Sequence, residues 1–220
     1  MKKNKTKIFI RGTVLLAAFA VWTRLIQTVD VKPAGVNGSA IGFAAMNTWF
    51  HQLTGVHLSI YTITDWLGLV PIFVCLGFAG LGMMQLIRRK SILKVDADIL
   101  LLGAYYIAVI GCYLAFEEIP VNYRPVLIEG RMEASYPSST TLLVLAVMPT
   151  LIYQLRNRIP SAKYTKPVCL TVTLFSALMV LGRLISGVHW ITDIIGAVLL
   201  SAGLYDIYRA CAEAWRKEEA

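Results

Sequence analysis

The chain alternates between long apolar runs and short polar connections. Residues 66–87 carry no charged side chain, and neither do 99–116, 134–155 or 167–182. A helix crosses roughly 30 Å of hydrocarbon with about 20 residues, so each run predicts a membrane-spanning helix. Two further stretches are apolar with charges near their ends: 8–27, with Arg11 and Arg24, and 190–208, with Asp193 and Asp206. Long arginine side chains so placed reach back to the interface, and Asp65 and Asp206, near helix ends, read as interfacial. The pattern predicts an all-α, six-helix transmembrane bundle forming a single domain over residues 1–220. The first stretch has a second reading as a secretory leader, since Lys2, Lys3, Lys5 and Lys7 precede it and Ala18-Phe19-Ala20 fits a cleavage site. The other five helices keep their orientation either way.

The longest connection, residues 28–64, has a pattern of its own. Phe43, Met46, Phe50 and Leu53 share one helical face with Trp49 nearby, while Asn47 and His51 point elsewhere. This predicts a short amphipathic helix lying in the interface, or a plain cap over the bundle. Trp22, Trp49, Trp66 and Trp190 fall toward the same membrane side and read as interfacial anchors. Gly77, Gly80 and Gly82 read as close helix–helix contacts.

Composition narrows the class. Hydrophobic residues make up 57%, charged residues 15%, and mean hydropathy is +0.63. Soluble domains carry about 25% charged residues, so a disordered chain, a disulfide scaffold and a soluble enzyme are all excluded. The net charge of +8 is dispersed in short clusters between apolar runs. Nucleic-acid binding needs a continuous basic face. Cys75, Cys112 and Cys169 lie in apolar runs and Cys211 near the end, with no Cys-x-x-Cys pair; they read as packing residues, with no disulfide framework and no metal site.

Lysine and arginine orient the bundle. With the N-terminus in the cytoplasm, the inner segments hold Lys2, Lys3, Lys5, Lys7 and Arg11, then Arg88, Arg89, Lys90 and Lys94, then Arg156, Arg158, Lys163 and Lys166, then Arg209, Arg216 and Lys217. Of 21 basic residues, only Arg24, Lys32, Arg124, Arg131 and Arg183 remain outside. Both termini are expected in the cytoplasm, in a bacterial plasma membrane. All three histidines, His51, His57 and His189, are expected on the outer face.

Three segments on that face carry candidate chemistry. Arg124-Pro125 follows the third helix. Tyr136-Pro137-Ser138-Ser139-Thr140-Thr141 opens the fourth, with cap residues and a helix N-terminus that binds anions. Arg183, His189 and Asp193 join the fifth and sixth. On a helix His189 and Asp193, at i and i+4, share a face, and a carboxylate so placed holds an imidazole in one tautomer. Arginines plus a helix N-terminus clamp phosphate, and a histidine held against it can attack.

Arg183, five residues, His189, three residues, Asp193 resembles the third signature of the type 2 phosphatidic acid phosphatase superfamily, integral lipid phosphate phosphatases related to vanadium haloperoxidases. Arg124-Pro125 resembles the end of the first signature, and Pro137-Ser138 the start of the second. The resemblance implies a metal-independent hydrolase without cofactor. His189 would be the phosphoryl-accepting nucleophile, Asp193 its orienter, and Arg124, Arg183, Ser138 and the Ser139 amide the phosphate ligands. The partners implied are a membrane lipid phosphate or diphosphate and the bilayer; no nucleic acid is among them, and no oligomeric state is specified.

The sequence departs from these signatures. Glu117 stands at the lysine of the first, Thr140 at the histidine of the second, and Gly182 where a serine usually precedes the arginine. In the family that second histidine protonates the leaving group, which a threonine cannot do near neutral pH. Two readings follow: a phosphatase of the outer leaflet preferring diphosphates, or a non-catalytic lipid-phosphate binder acting as carrier, sensor or partner subunit. Glu117, Arg131, His51 and His57 are auxiliary candidates, the histidines and loop carboxylates as substitutes for the missing acid.

Overall fold

The structure, a computed structural model, describes residues 2–159 and 161–215, without the side chains of residues 2–4. The Lys2 and Lys3 side chains, Arg216 and Lys217 therefore lie outside the described residues. Eight α-helices follow in order: α1 (Lys2–Ile26), α2 (Ala44–Thr54), α3 (Leu58–Leu67), α4 (Leu69–Arg89), α5 (Ala97–Glu118), α6 (Ser139–Arg158), α7 (Ala162–Ile185) and α8 (Ile191–Trp215). Among the described residues, six stretches are long and apolar enough to cross a membrane: Lys5–Ile26, Leu58–Arg89, Ala97–Glu118, Ser139–Arg158, Ala162–Ile185 and Ile191–Trp215. The molecule is an all-α integral membrane bundle. Its helices face lipid with large apolar side chains such as Phe73, Ile107 and Leu178, all exposed.

Two element boundaries differ from the charge-free runs. α3 and α4 run into one another at Gly68, whose N–H reaches the carbonyls of Thr64 and Asp65. The second apolar stretch therefore starts at Leu58 and takes Asp65 with it. α6 starts at Ser139, because residues 134–138 run non-helically and the connection pairs with itself through a Tyr123–Ala134 bridge. That connection forms a strap over one end of the bundle.

α1 lies along α8. A side chain at Gly12 would meet Asp206 and the Gly203 carbonyl at about 3 Å, and one at Gly203 would meet Leu16, so the two backbones pack at short range. Arg11 grips Asp206 with two hydrogen bonds of 2.5 and 2.6 Å. Asp206 is thus a buried, paired carboxylate, where the sequence suggested an interfacial one. The stripe at 77, 80 and 82 behaves otherwise: Gly77 and Gly80 face open space, and only Gly82 approaches a neighbour, Ile99.

The two largest apolar clusters lie at the centre of the packing. Leu102, Tyr105, Tyr106, Val109, Ala146, Val147, Tyr208 and Ala212 form one, and Phe19, Ile26, Tyr136, Leu142, Ala197 and Leu200 the other. The buried tyrosine hydroxyls of the first cluster's α5 face are hydrogen-bonded, which offsets the cost of burying them: Tyr105 donates to the Ala146 carbonyl at 2.9 Å, and the Tyr106 hydroxyl pairs with Thr150 at 2.7 Å.

The short helix expected in the first connection is α2, and its faces are assigned by its neighbours. Trp49 and Leu53 are exposed, while Asn47 is fully buried, donating to the Gly42 carbonyl at 2.8 Å and facing Thr192 Oγ1 at 3.1 Å. The Asn47 side docks on α8, Phe43, Met46 and Phe50 are half-buried, and Trp49 and Leu53 look outward, as suits a lipid interface. One of the four expected tryptophan anchors is internal instead: Trp190 is buried with its indole N–H on the Tyr123 carbonyl. Trp22 is half-buried and donates to the Thr192 carbonyl. Trp49 and Trp66 are the exposed pair.

Candidate active site

The α7–α8 connection is built for a sharp reversal. Ser186 ends α7 with its N–H on the Gly182 carbonyl, and Gly187 follows with φ of 70°. A Cβ there would lie 2.0 Å from the Gly55 carbonyl oxygen, so only glycine lets this turn pass α2's end. His189 follows in the connection and Asp193 in the first turn of α8. They do not share a helical face, as the i, i+4 spacing suggested, because His189 precedes the helix. Asp193 reaches back to the Trp190 N–H at 2.9 Å, the third helical residue satisfying the cap residue's donor.

This capping role leaves His189 Nδ1 3.7 Å from Asp193 Oδ2, beyond hydrogen-bond reach. Ser135 fills the gap. Its Oγ donates to Asp193 Oδ2 at 2.5 Å and lies 3.1 Å from Nδ1, so Nδ1–H is directed at Ser135, whose carbonyl oxygen also lies 3.2 Å away. Asn122 donates to the other carboxylate oxygen at 3.0 Å. All four side chains are buried. Nδ1 carrying the proton leaves the Nε2 lone pair toward Arg183, whose Nη2 is 3.3 Å away. Burial pushes the His189 pKa down to about 4; Asp193 opposes this and Arg183 and Arg124 add to it. The imidazole is neutral at pH 7, as a nucleophile must be.

Two arginines converge beside it. Arg183 is 1% exposed and stacks over Tyr61 at 4.8 Å; Arg124, also buried, lies 5.6 Å from the same ring. Arg183 Nη1 is 3.5 Å from Thr64 Oγ1 and 3.6 Å from Asp65. Arg124 pairs with Glu133 at 3.1 Å. Three buried guanidinium nitrogens, Arg183 Nε and Arg124 Nε and Nη1, have no protein partner. Two like charges packed together with donors to spare form a receptor for an oxyanion.

The remaining candidates distribute unevenly. Ser138 is buried, its hydroxyl on Thr141 at 3.1 Å and its N–H on the Asp193 carbonyl. Its own carbonyl accepts from Leu142, so the amides of 139–141 have no partner within α6. Ser139 lines a cleft with His189, Ser135 and Tyr136, and exposed Glu117 stands at its edge. Thr140 is half-buried. Arg131 is exposed on a tight turn that pairs with Ile128, not among the site residues. His51 donates from Nε2 to the Gly187 carbonyl at 3.1 Å and packs on Trp190; His57 donates to the Thr54 carbonyl at 2.9 Å. The His51 ring, and the His57 backbone N–H on the Ser186 carbonyl, brace the connection that carries His189. Sequence reasoning missed Ser135, Asn122, Tyr61 and Thr64, none of which has a local signature. Among the described residues, no group of three His, Cys, Asp or Glu side chains is placed to hold a metal ion.

A family model described as the PAP2 superfamily matches residues 39–216. No curated protein matches. Among solved structures, the chain is similar to a transmembrane PAP2-type phosphatidylglycerolphosphate phosphatase from Bacillus subtilis, with 17% identity, a TM-score of 0.64, and coverage of 96% of this chain and 98% of that one. At that identity the likeness is one of fold.

Proposed function

Because the chain belongs to the PAP2 superfamily, we propose that it hydrolyses a membrane lipid phosphate or diphosphate through a phosphohistidine intermediate. The observation that carries this reading is the buried His189 imidazole, Nε2 toward Arg183, beside two buried arginines with unpartnered N–H groups. Arg183 and Arg124 hold the phosphoryl oxygens, joined by the Ser139 amide at the start of α6. His189 Nε2 attacks phosphorus and the lipid moiety departs; water then attacks the phosphohistidine and releases phosphate. Ser135 and Asp193 keep the proton on Nδ1 and stabilise the charge that develops on the ring. No metal ion takes part in these steps. The distribution of lysine and arginine supports cytoplasmic termini, in a bacterial plasma membrane, and a site opening at the outer leaflet.

Diphosphates are the preferred substrates. A lipid monophosphate expels an alkoxide, roughly as poor a leaving group as hydroxide, with a conjugate-acid pKa of about 16. A lipid diphosphate expels a lipid phosphate with a conjugate-acid pKa of about 6. With Thr140 where the resemblance puts an acid, the second departure is the easier. The Bacillus subtilis neighbour is named for a monophosphate lipid; Thr140 and Glu117 are the reasons to expect a different preference here. The same two departures favour a second reading, a binder that holds lipid phosphate without turning it over.

The test is purified protein in detergent micelles without divalent metal, given one lipid tail as mono- and diphosphate at matched surface density. Labelled phosphate should be trapped on the protein by acid-labile, base-stable linkage, and His189→Ala should abolish trapping and turnover. Turnover undiminished in His189→Ala would end the phosphohistidine mechanism. Binding without turnover by the unaltered chain would establish the binder.

A further inference from the structure

We propose that Asp65 donates the proton that lets this site release an alkoxide. The assignment rests on the hydrolase reading above and names the residue that sets its substrate preference. Asp65 sits on the last turn of α3, one turn after Tyr61, the ring over which both arginines stack. Its carboxylate is 3.6 Å from Arg183 Nη1, while His189 Nε2 is 3.3 Å from Nη2 of the same guanidinium. A phosphoryl group held by Arg183 therefore has the nucleophile toward one amino group and Asp65 toward the other. Thr140, at the position of the missing acid, packs by its methyl near Gly68, where a Cβ would lie 3.3 Å from it. The α3–α4 junction that Thr140 approaches carries Asp65 three residues before Gly68.

Asp65 also has the access a recycled acid needs. Its side chain is 56% exposed, against 1% for Arg183. The 3.6 Å contact is too long for a committed hydrogen bond, so the group is free to turn. Glu133, by contrast, is tied at 3.1 Å to Arg124 and shares a backbone bond with it. Asp193 is spent on Ser135, Trp190 and Asn122.

The steps balance. His189 Nε2 forms a bond to phosphorus, the bond from phosphorus to the alkyl oxygen breaks, and that oxygen takes the Asp65 proton and leaves as the lipid alcohol. Water then attacks phosphorus and gives a proton to the Asp65 carboxylate. The nitrogen–phosphorus bond breaks, and phosphate, neutral His189 and protonated Asp65 result. A diphosphate needs no such donor, so the Asp65 route serves the slower monophosphate turnover.

The experiment compares Asp65→Asn with the unaltered protein on one lipid tail as mono- and diphosphate. Monophosphate turnover should fall by about 10²–10⁴-fold, and diphosphate turnover should stay within about threefold. Asp65→Glu should recover part of the monophosphate rate. Equal loss on both substrates would make Asp65 a phosphate-site or folding residue and overturn the assignment, as would unchanged monophosphate turnover. Glu117→Gln and Glu133→Gln run alongside; a selective monophosphate loss in either, and not in Asp65→Asn, would also overturn it. Failure of the unaltered chain to turn over either lipid would overturn the hydrolase reading itself and the Asp65 role with it.

Discussion

Replacing Ser135 by alanine removes one hydroxyl that bridges His189 and Asp193. In the structure that hydroxyl donates to Asp193 Oδ2 at 2.5 Å and lies 3.1 Å from His189 Nδ1. The direct Nδ1–Oδ2 separation is 3.7 Å, so without Ser135 Oγ the carboxylate no longer reaches the ring through a hydrogen bond. Asp193 keeps Asn122 and the Trp190 N–H, and Nδ1–H keeps the Ser135 carbonyl at 3.2 Å. The tautomer survives, while stabilisation of the cationic ring in the transition state weakens. A hydrogen bond to a charged group contributes about 1.5–3 kcal/mol, which is roughly 10- to 150-fold in kcat. KM should change little, because Ser135 does not contact the bound phosphate in this reading. The assay is kcat and KM for the better lipid substrate in mixed micelles, with thermal unfolding of the same preparations. Asp193→Asn should cost more, since it also removes the negative charge. The double variant should cost no more than Asp193→Asn alone, because the two residues act through one contact. A kcat of Ser135→Ala within about twofold of the unaltered protein, or fully additive losses in the double variant, would refute this coupling.

Three further outcomes are expected. Arg183→Lys and Arg124→Lys should each lower kcat/KM by roughly 10- to 150-fold, mainly by weakening phosphate binding, because a lysine cannot supply a two-pronged contact; isothermal titration with inorganic phosphate checks the binding part. The acid limb of kcat/KM should lie near pH 4, not near the ordinary histidine value of 6.5, because the buried His189 stays neutral until then. The same depression favours the native state above pH 6.5, and that contribution is lost as pH falls from 6.5 toward 4; an acid limb at 6.5 would contradict the burial. A cysteine at the exposed Glu129, in a background without the native cysteines, should label from outside intact cells, and one at the exposed Lys94 only after the membrane is opened; the reverse would invert the bundle.

How much was legible in advance depended on whether the cause was local. Runs such as 99–116 announce a span because uncharged length is a one-dimensional property and hydrocarbon thickness supplies the ruler. The amphipathic stretch around Phe43–Leu53 was visible for the same reason, but which face turns inward was not. Asn47 is buried because Thr192 and the Gly42 carbonyl satisfy its amide, and those partners are 145 and 5 residues away. Trp190 and Asp206 were misplaced on the same ground. An aromatic or a charge near a helix end reads as interfacial until a neighbour, here the Tyr123 carbonyl or Arg11, is known to receive it.

The sequence by itself determined the class of molecule and the chemical vocabulary of the site. Apolar helices of spanning length leave no soluble alternative, and Arg183, His189 and Asp193 recur at a spacing that any single turn must bring near one another. Tertiary structure decided how those groups are wired. His189 stands ahead of α8 and Asp193 turns back to cap it, so the expected contact between them opens to 3.7 Å and a serine 54 residues from the histidine closes it. Arg183 gains its second side, with Tyr61, Thr64 and Asp65, only because α3 folds against α7. Spacing along the chain constrains neighbours within a turn or two; beyond that, proximity is set by which helices pack, and packing is a property of the whole fold.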